Sequence, residues 1–126
     1  MVYVGLDYGR ARTGLAVLLE GVVLPLDPVK GGWKNIEERL GALPAEWGDI
    51  TLVLGLPLGA SGQETLLSKE VEQFAARLLG RGYAVVLQRE TGTTLEALEA
   101  CPGIRRRGSV DSAAACLILK RYLCEP

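Results

Sequence analysis

Three acids and two sets of cationic residues are the groups in this chain whose types and positions could do chemistry together. Asp7 closes Met1-Val2-Tyr3-Val4-Gly5-Leu6-Asp7, a run apolar and β-branched enough to be a buried strand. Such a strand has little use for a carboxylate. Asp7 also opens Asp7-Tyr8-Gly9-Arg10-Ala11-Arg12-Thr13-Gly14, where Gly9 and Gly14 permit tight backbone and Arg10 and Arg12 suit anions. An acid delivered by a central strand into a loop of that kind suggests a metal ion holding phosphate. An Asp-x-Gly standing alone also describes a capped tight turn.

Glu90 follows the apolar stretch Tyr83 to Leu87 much as Asp7 follows the first run. Both acids are therefore expected at the carboxyl ends of strands, where open α/β sheets place their sites. A solvated loop glutamate is the competing reading. Asp111, on a helix, shares a face with Ala114, Ala115 and Ile118, an apolar stripe that should point at the sheet. A carboxylate on an inward stripe costs free energy unless it is paired or ligates a metal. The small alanines allow close approach to the strand ends, and a place in the first helical turn favours the ionised form. An acid that merely complements the helix dipole is the alternative. The densest cationic patch is Arg105-Arg106-Arg107, and Arg10, Arg12, Lys30 and Lys34 make a second. Solvated decoration of a loop would also account for the triplet.

Composition narrows the chemistry. The chain has 126 residues and 48% hydrophobic content, enough for one domain, 1–126, with its own core. No run of roughly 18 apolar residues is present. The start lacks the charged-then-apolar layout of a signal peptide. Cys101, Cys116 and Cys124 form no CxxC and are odd in number, which fits reduced thiols in a cytoplasm. With no histidine at all, His triads, His metal sites and His general bases are excluded together. A net charge of −1 gives no global field toward nucleic acid, so phosphate binding must be local.

The elements that would position these groups read β-β-β-α-β-α-β-α-α. Strand one covers about Val2 to Asp7, and Gly14–Glu20 and Val22–Leu26 are the next two, joined through Glu20-Gly21 as a hairpin. Pro25 cannot donate a ladder hydrogen bond, so strand three belongs at a sheet edge. Asn35 to Leu43 is a short amphipathic helix. Ile50 to Gly55 is a continuous apolar run, as in a parallel strand covered on both faces. A loop, Leu56 to Gly62, leads to a helix whose expected capping box is Ser61 with Glu64. That helix carries Leu67, Val71, Phe74, Ala75 and Leu78 on one face and stops at Gly80 and Gly82. Tyr83 to Leu87 is a further buried strand. Thr93 or Thr94 would cap a helix from Leu95 to Ala100 closed by Pro102-Gly103, and the last helix runs from near Ser109 to about Leu123. Helices alternating with parallel strands after an antiparallel hairpin indicate a three-layer α/β domain.

Taken together, Asp7-x-Gly9-x-x-Arg12-x-Gly14, Gly55-Leu56-Pro57-x-x-x-x-Gly62, Glu90-x-x-Thr93-Thr94 and Val110-Asp111-Ser112-x-Ala114-Ala115 resemble the YqgF/RuvX family. Its members are RNase H-like nucleases described as Holliday-junction resolvase-like enzymes and as pre-16S rRNA processing nucleases. The resemblance spans essentially the whole chain. It implies a five-stranded mixed sheet of order 3-2-1-4-5 with helices on both faces. It also implies a catalytic and metal-ligand triad of Asp7, Glu90 and Asp111 for one or two Mg²⁺ or Mn²⁺ ions. Gly9, Arg10, Arg12, Thr13, Arg105, Arg106 and Arg107 are the candidates for nucleic-acid contact. The implied substrates are the 5′ end of pre-16S rRNA, branched DNA, or both, acted on by a monomer or homodimer away from any membrane. The family usually reads Asp-Glu-Arg where this chain has Arg89-Glu90-Thr91, a departure that alters the charge balance at that corner. Two other readings stay open: a non-catalytic nucleic-acid-binding or ribosome-assembly factor, and an actin- or sugar-kinase-like nucleotide-binding domain.

Overall fold

A computed structural model describes residues 2–59, 61–91 and 110–124, with the side chains of Glu90, Thr91, Val110, Asp111 and Cys124 outside the description. The strands are β1 (Val2–Asp7), β2 (Arg12–Leu19), β3 (Val22–Lys30), β4 (Ile50–Leu58) and β5 (Ala84–Thr91). Among the described residues the helices are α1 (Trp33–Gly41), α2 (Leu66–Gly80) and α3 (Val110–Cys124), with one 3₁₀ turn at Ala45–Trp47; the helix expected from Leu95 to Ala100 lies outside them. The strands form one five-stranded sheet in the order β3-β2-β1-β4-β5, as the resemblance implies. β1 runs antiparallel to β2 and parallel to β4, and β5 is parallel to β4.

The strand alternation of β1 divides the core. Val4 and Leu6 are wholly buried on one side with Leu52, Leu54, Phe74, Leu78 and Ile36, so α1 and α2 cover that face. Ala16 and Val53 look the other way and pack on Ala115, Ile118 and Leu119 of α3. Tyr3 of β1 lies on this second side, its ring 5.5 Å from that of Tyr122. The result is three layers, helix–sheet–helix.

α3 runs antiparallel to β1. A Cβ on Gly5 would stand 2.7 Å from the Ala115 carbonyl oxygen and 2.8 Å from Leu119 Cγ, so the helix backbone rides directly on the strand at the glycine. Tyr122, two turns later, sits back over Tyr3. At the other end the Ser112 hydroxyl donates to the Leu26 carbonyl, and Leu26 is level with Leu15 and, through it, Leu6. The start of α3 is therefore at the carboxyl end of β1.

The hairpin turn is Glu20-Gly21, with φ of 48° and 80°, the left-handed pair expected of a two-residue primed turn. β3 is an edge, with Pro25 opposite Ala16. Several boundaries differ from those expected. β3 continues to Lys30, and β2 starts two residues early at Arg12 to pair with it. β4 runs on through Pro57 because β1 stops pairing with it at Leu54, so no neighbour on that side needs the missing N–H. α1 begins at Trp33 rather than Asn35 and ends at Gly41.

The Ser61–Glu64 capping box does not form. Gly59 N–H donates to the Gln63 carbonyl and Gly62 adopts φ +80°, which keeps that stretch a turn. Thr65 caps α2 instead: its hydroxyl oxygen accepts from Ser68 N–H, and the Ser68 hydroxyl oxygen accepts from Thr65 N–H. β5 is the second sheet edge, with Ala84, Leu87 and Arg89 exposed, where the sequence suggests a strand covered on both faces. It extends to Thr91, so Glu90 lies within the strand and not after it.

Candidate active site

Register brings the strand-borne acids to one face. Tyr3 and Val53 lie on the α3 side of the sheet, and Asp7 follows Tyr3 by four residues on the same strand, so it shares that side. Asp7 is half-buried and pairs with Gly14 of β2. The residue of β4 beyond the last β1 pair is Gly55, which pairs with Gln88 of β5. Asp7 thus has a glycine level with it on each neighbouring strand. Glu90 pairs with Pro57, two residues beyond Gln88, at a register position on the α3 side. Asp111 is the second residue of α3, one turn before the Ala115 that sits on Gly5. The backbone of all three acids therefore occupies one end and one face of the sheet.

The donor chemistry there fits a hard divalent cation. Of the three acids, Asp7 has its side chain within the description; Glu90 and Asp111 bring the same ligand type by sequence, the chain has no histidine, and Cys116 is buried within the α3 core. Asp7 also makes an interaction of its own in the described structure.

The loop after Asp7 is closed tightly. A Cβ on Gly9 would meet the Arg12 carbonyl oxygen at 2.4 Å, so only glycine fits. The fully buried Thr13 hydroxyl accepts from Gly9 N–H at 3.3 Å and reaches its carbonyl at 3.4 Å. Thr13 shapes the loop from inside, while Arg10 and Arg12 stand exposed. Arg12 pairs across the ladder with Lys30, also exposed, and Gly31 N–H donates to the Ala11 carbonyl at 3.0 Å. Lys34 is exposed near the start of α1. Arg105, Arg106 and Arg107, together with Thr93 and Thr94, lie outside the described residues.

Behind this loop is a cluster that the sequence does not announce. Tyr8, next to Asp7, points to the opposite face, where its ring lies 5.6 Å from Phe74. Its hydroxyl donates to a Glu70 carboxylate oxygen and accepts from Trp33 Nε1 at 3.1 Å. The other Glu70 oxygen takes Arg10 Nε at 2.9 Å. The Tyr8 hydroxyl is pushed up from its ordinary pKa, first by burial and then by bonding to Glu70. Glu70 is held below its ordinary range, first by the Tyr8 hydrogen bond and then, against some burial, by Arg10. Glu70 sits among the polar residues of α2 with no spacing that marks it. The only signal is the aromatic at position 8, which falls on the inward side of β1.

A shallow groove of about 440 Å³ lies between the loop and the first turn of α2, lined by Gly9, Arg10, Thr65, Leu66 and Leu67. Larger concavities near 600 and 880 Å³ open at the far end of the sheet, around Asp49 and Tyr83 and around Glu20 and Trp47. Neither touches the three acids.

The chain matches the family model described as "RuvX: Holliday junction resolvase" over residues 1–125. A protein of Klebsiella pneumoniae (strain 342) named "Putative pre-16S rRNA nuclease" is 35% identical over 133 residues, spanning 95% of this chain and 94% of its own. One of the same name from Glaesserella parasuis serovar 5 (strain SH0165) is 38% identical over 125 residues, spanning 94% and 86%. Among solved structures, Thermus thermophilus RuvC aligns with a TM-score of 0.60 at 16% identity, over 94% of this chain and 90% of that one. The same protein in complex with Holliday junction substrate aligns at 0.50 and 17% identity, over 94% and 89%. Likeness at that identity is likeness of fold.

Proposed function

The chain belongs to the RuvX family, and we propose that it is a divalent-metal-dependent nuclease, a single catalytic domain over residues 1–126 that cuts phosphodiester bonds in structured nucleic acid. The substrates proposed are the 5′ end of the 16S rRNA precursor and four-way DNA junctions. The observation that carries the reading is the common end and face shared by the backbone of Asp7, Glu90 and Asp111.

Asp7, Glu90 and Asp111 would hold Mg²⁺ or Mn²⁺ through carboxylate oxygens. A divalent ion held there would supply positive charge for activating water and for stabilising the leaving oxygen of an in-line displacement. The chain's own cations do the positioning. Arg12 and Lys30, paired at the open end of the β2–β3 ladder, are proposed to hold phosphates that flank the cut. Gly9 and Thr13 keep the loop tight, so that Asp7 and these cations stay in fixed relation. No side-chain nucleophile is required, in keeping with a site built of carboxylates.

Cleavage of a labelled four-way junction, a single-stranded RNA and an rRNA precursor fragment, each with Mg²⁺ or Mn²⁺, tests the reading. Cutting that stops on chelation is the expected result. Folded protein that binds these molecules but cuts none with either ion would make it a non-catalytic assembly factor. Hydrolysis of a nucleoside triphosphate in place of cleavage would point to the kinase-like reading.

A further inference from the structure

The ion pair between Arg10 and Glu70 differs from ordinary surface decoration. Isolated exposed pairs contribute little, because both side chains wander in water. Here the acid cannot wander. The Glu70 side chain is only 23% exposed, and its second oxygen takes the Tyr8 hydroxyl, itself held by Trp33 Nε1 at 3.1 Å. Arg10 is 67% exposed and bonded through Nε at 2.9 Å, which leaves its terminal amino groups outside the pairing. A guanidinium fixed at Nε with its outer edge toward solvent is ready for a phosphate, whose geometry that edge matches. Arg10 also lines the groove between the β1–β2 loop and the first turn of α2, at the same end of the sheet as Asp7.

We propose that Glu70 is a positioning residue that presents Arg10 to a backbone phosphate of a nucleic-acid strand lying in this groove. The inference rests on the nuclease reading for its ligand class, but it concerns binding alone. Glu70 touches neither the cut bond nor the acids. Its role runs through Arg10, which gains orientation at the expense of sharing its charge with a carboxylate.

That trade gives the test a sign. Removing an acid near a polyanion site ordinarily tightens binding. Removing a positioning acid weakens it. Binding of labelled single-stranded RNA and of a four-way junction is measured with EDTA present, so that cleavage plays no part, across a salt titration. R10A is expected to weaken binding about threefold to fivefold, the scale of one exposed charge contact. It should also lower the salt slope by about 0.7 on single-stranded RNA and about 0.9 on duplex arms. E70A should weaken binding despite its more favourable charge, and E70Q, which keeps one acceptor oxygen, should lose less. In an R10A background E70A should weaken nothing further. E72A, which removes an exposed acid from the same helix, should leave binding unchanged or tighter. Melting curves identify any variant that fails to fold, and E70Q then carries the comparison. If E70A tightens binding as E72A does, or R10A leaves affinity and slope unmoved, the proposal is overturned while the nuclease reading stands. If the wild type binds neither nucleic acid, the proposal falls, and the cleavage panel with Mg²⁺ or Mn²⁺ decides the nuclease reading separately.

Discussion

Asp7 and Tyr8 are adjacent and have opposite tasks: strand alternation sends one to the α3 face among glycines and the other into an aromatic cluster. Replacing Asp7 or Asp111 with Asn should abolish cleavage while leaving the fold intact or more stable, because repulsion among the carboxylates of the proposed site is relieved. Paired cleavage and melting measurements check this, and Asn variants that cut at wild-type rates would refute the assignment. On the other face, Glu70 has its carboxyl lowered from 4.5, chiefly by the Tyr8 hydroxyl. A depressed pKa contributes stability that is present above the unfolded value and lost as pH falls through the folded one. Tyr8, raised from 10.0, contributes stability that is present below that value and lost as pH rises through the folded one. Y8F removes the Tyr8 contribution and the part of the Glu70 one that the Tyr8 hydroxyl supplies, leaving the part due to Arg10. The stability gap between wild type and Y8F, from urea unfolding at a series of pH values, should be widest near neutrality and narrow in acid and in strong alkali. A gap independent of pH would contradict this.

At the scale of elements, the closest fit is α3 on β1. Gly5 has no room for a methyl group between Ala115 and Leu119, so G5A should destabilise the fold by about 1–3 kcal/mol, the usual cost of overpacking. It should also depress cleavage beyond the loss of folded protein, since any outward shift of α3 moves Asp111 from Asp7. Activity per folded molecule equal to wild type would show that α3 does not set the site. T65A should cost about 1 kcal/mol by removing the cap of α2, seen as a lower urea midpoint. These elements show which features of the sequence were readable. The apolar runs, the Glu20-Gly21 hairpin and the inward face of α3 follow from periodicity and turn chemistry, and they locate Asp7 and Asp111. The α2 start departs from the expected one because Ser61–Glu64 and Thr65–Ser68 carry the same spacing, and only the Gly59–Gln63 turn decides between them. β5 runs past its expected end because Gln88, Arg89 and Glu90, loop-like in composition, pair with Gly55, Leu56 and Pro57. The Tyr8–Trp33–Glu70 cluster joins three elements, and no local pattern encodes such a meeting.

Across the whole molecule, a net charge of −1 means that affinity for nucleic acid must come from patches. No helix among the described residues is long and apolar enough to cross a membrane. Changing Arg105, Arg106 and Arg107 together to Ala should weaken substrate binding and flatten its salt dependence, by about 0.7 per lost contact on single strands. An unchanged titration would assign the triplet to solvent and leave the clamp to Arg10, Arg12 and Lys34. Resolving a symmetric junction asks for two active sites, so a two-fold dimer in sedimentation would favour that substrate. Acids from β1, β5 and α3, far apart in sequence, are proposed to make one metal site. Mn²⁺ binding followed by electron paramagnetic resonance, for wild type and for D7N, E90Q and D111N, tests it most directly. Each single variant should lose most of the affinity at the same site, with melting temperatures held or raised. Any one of the three folded variants binding Mn²⁺ as wild type does would contradict it.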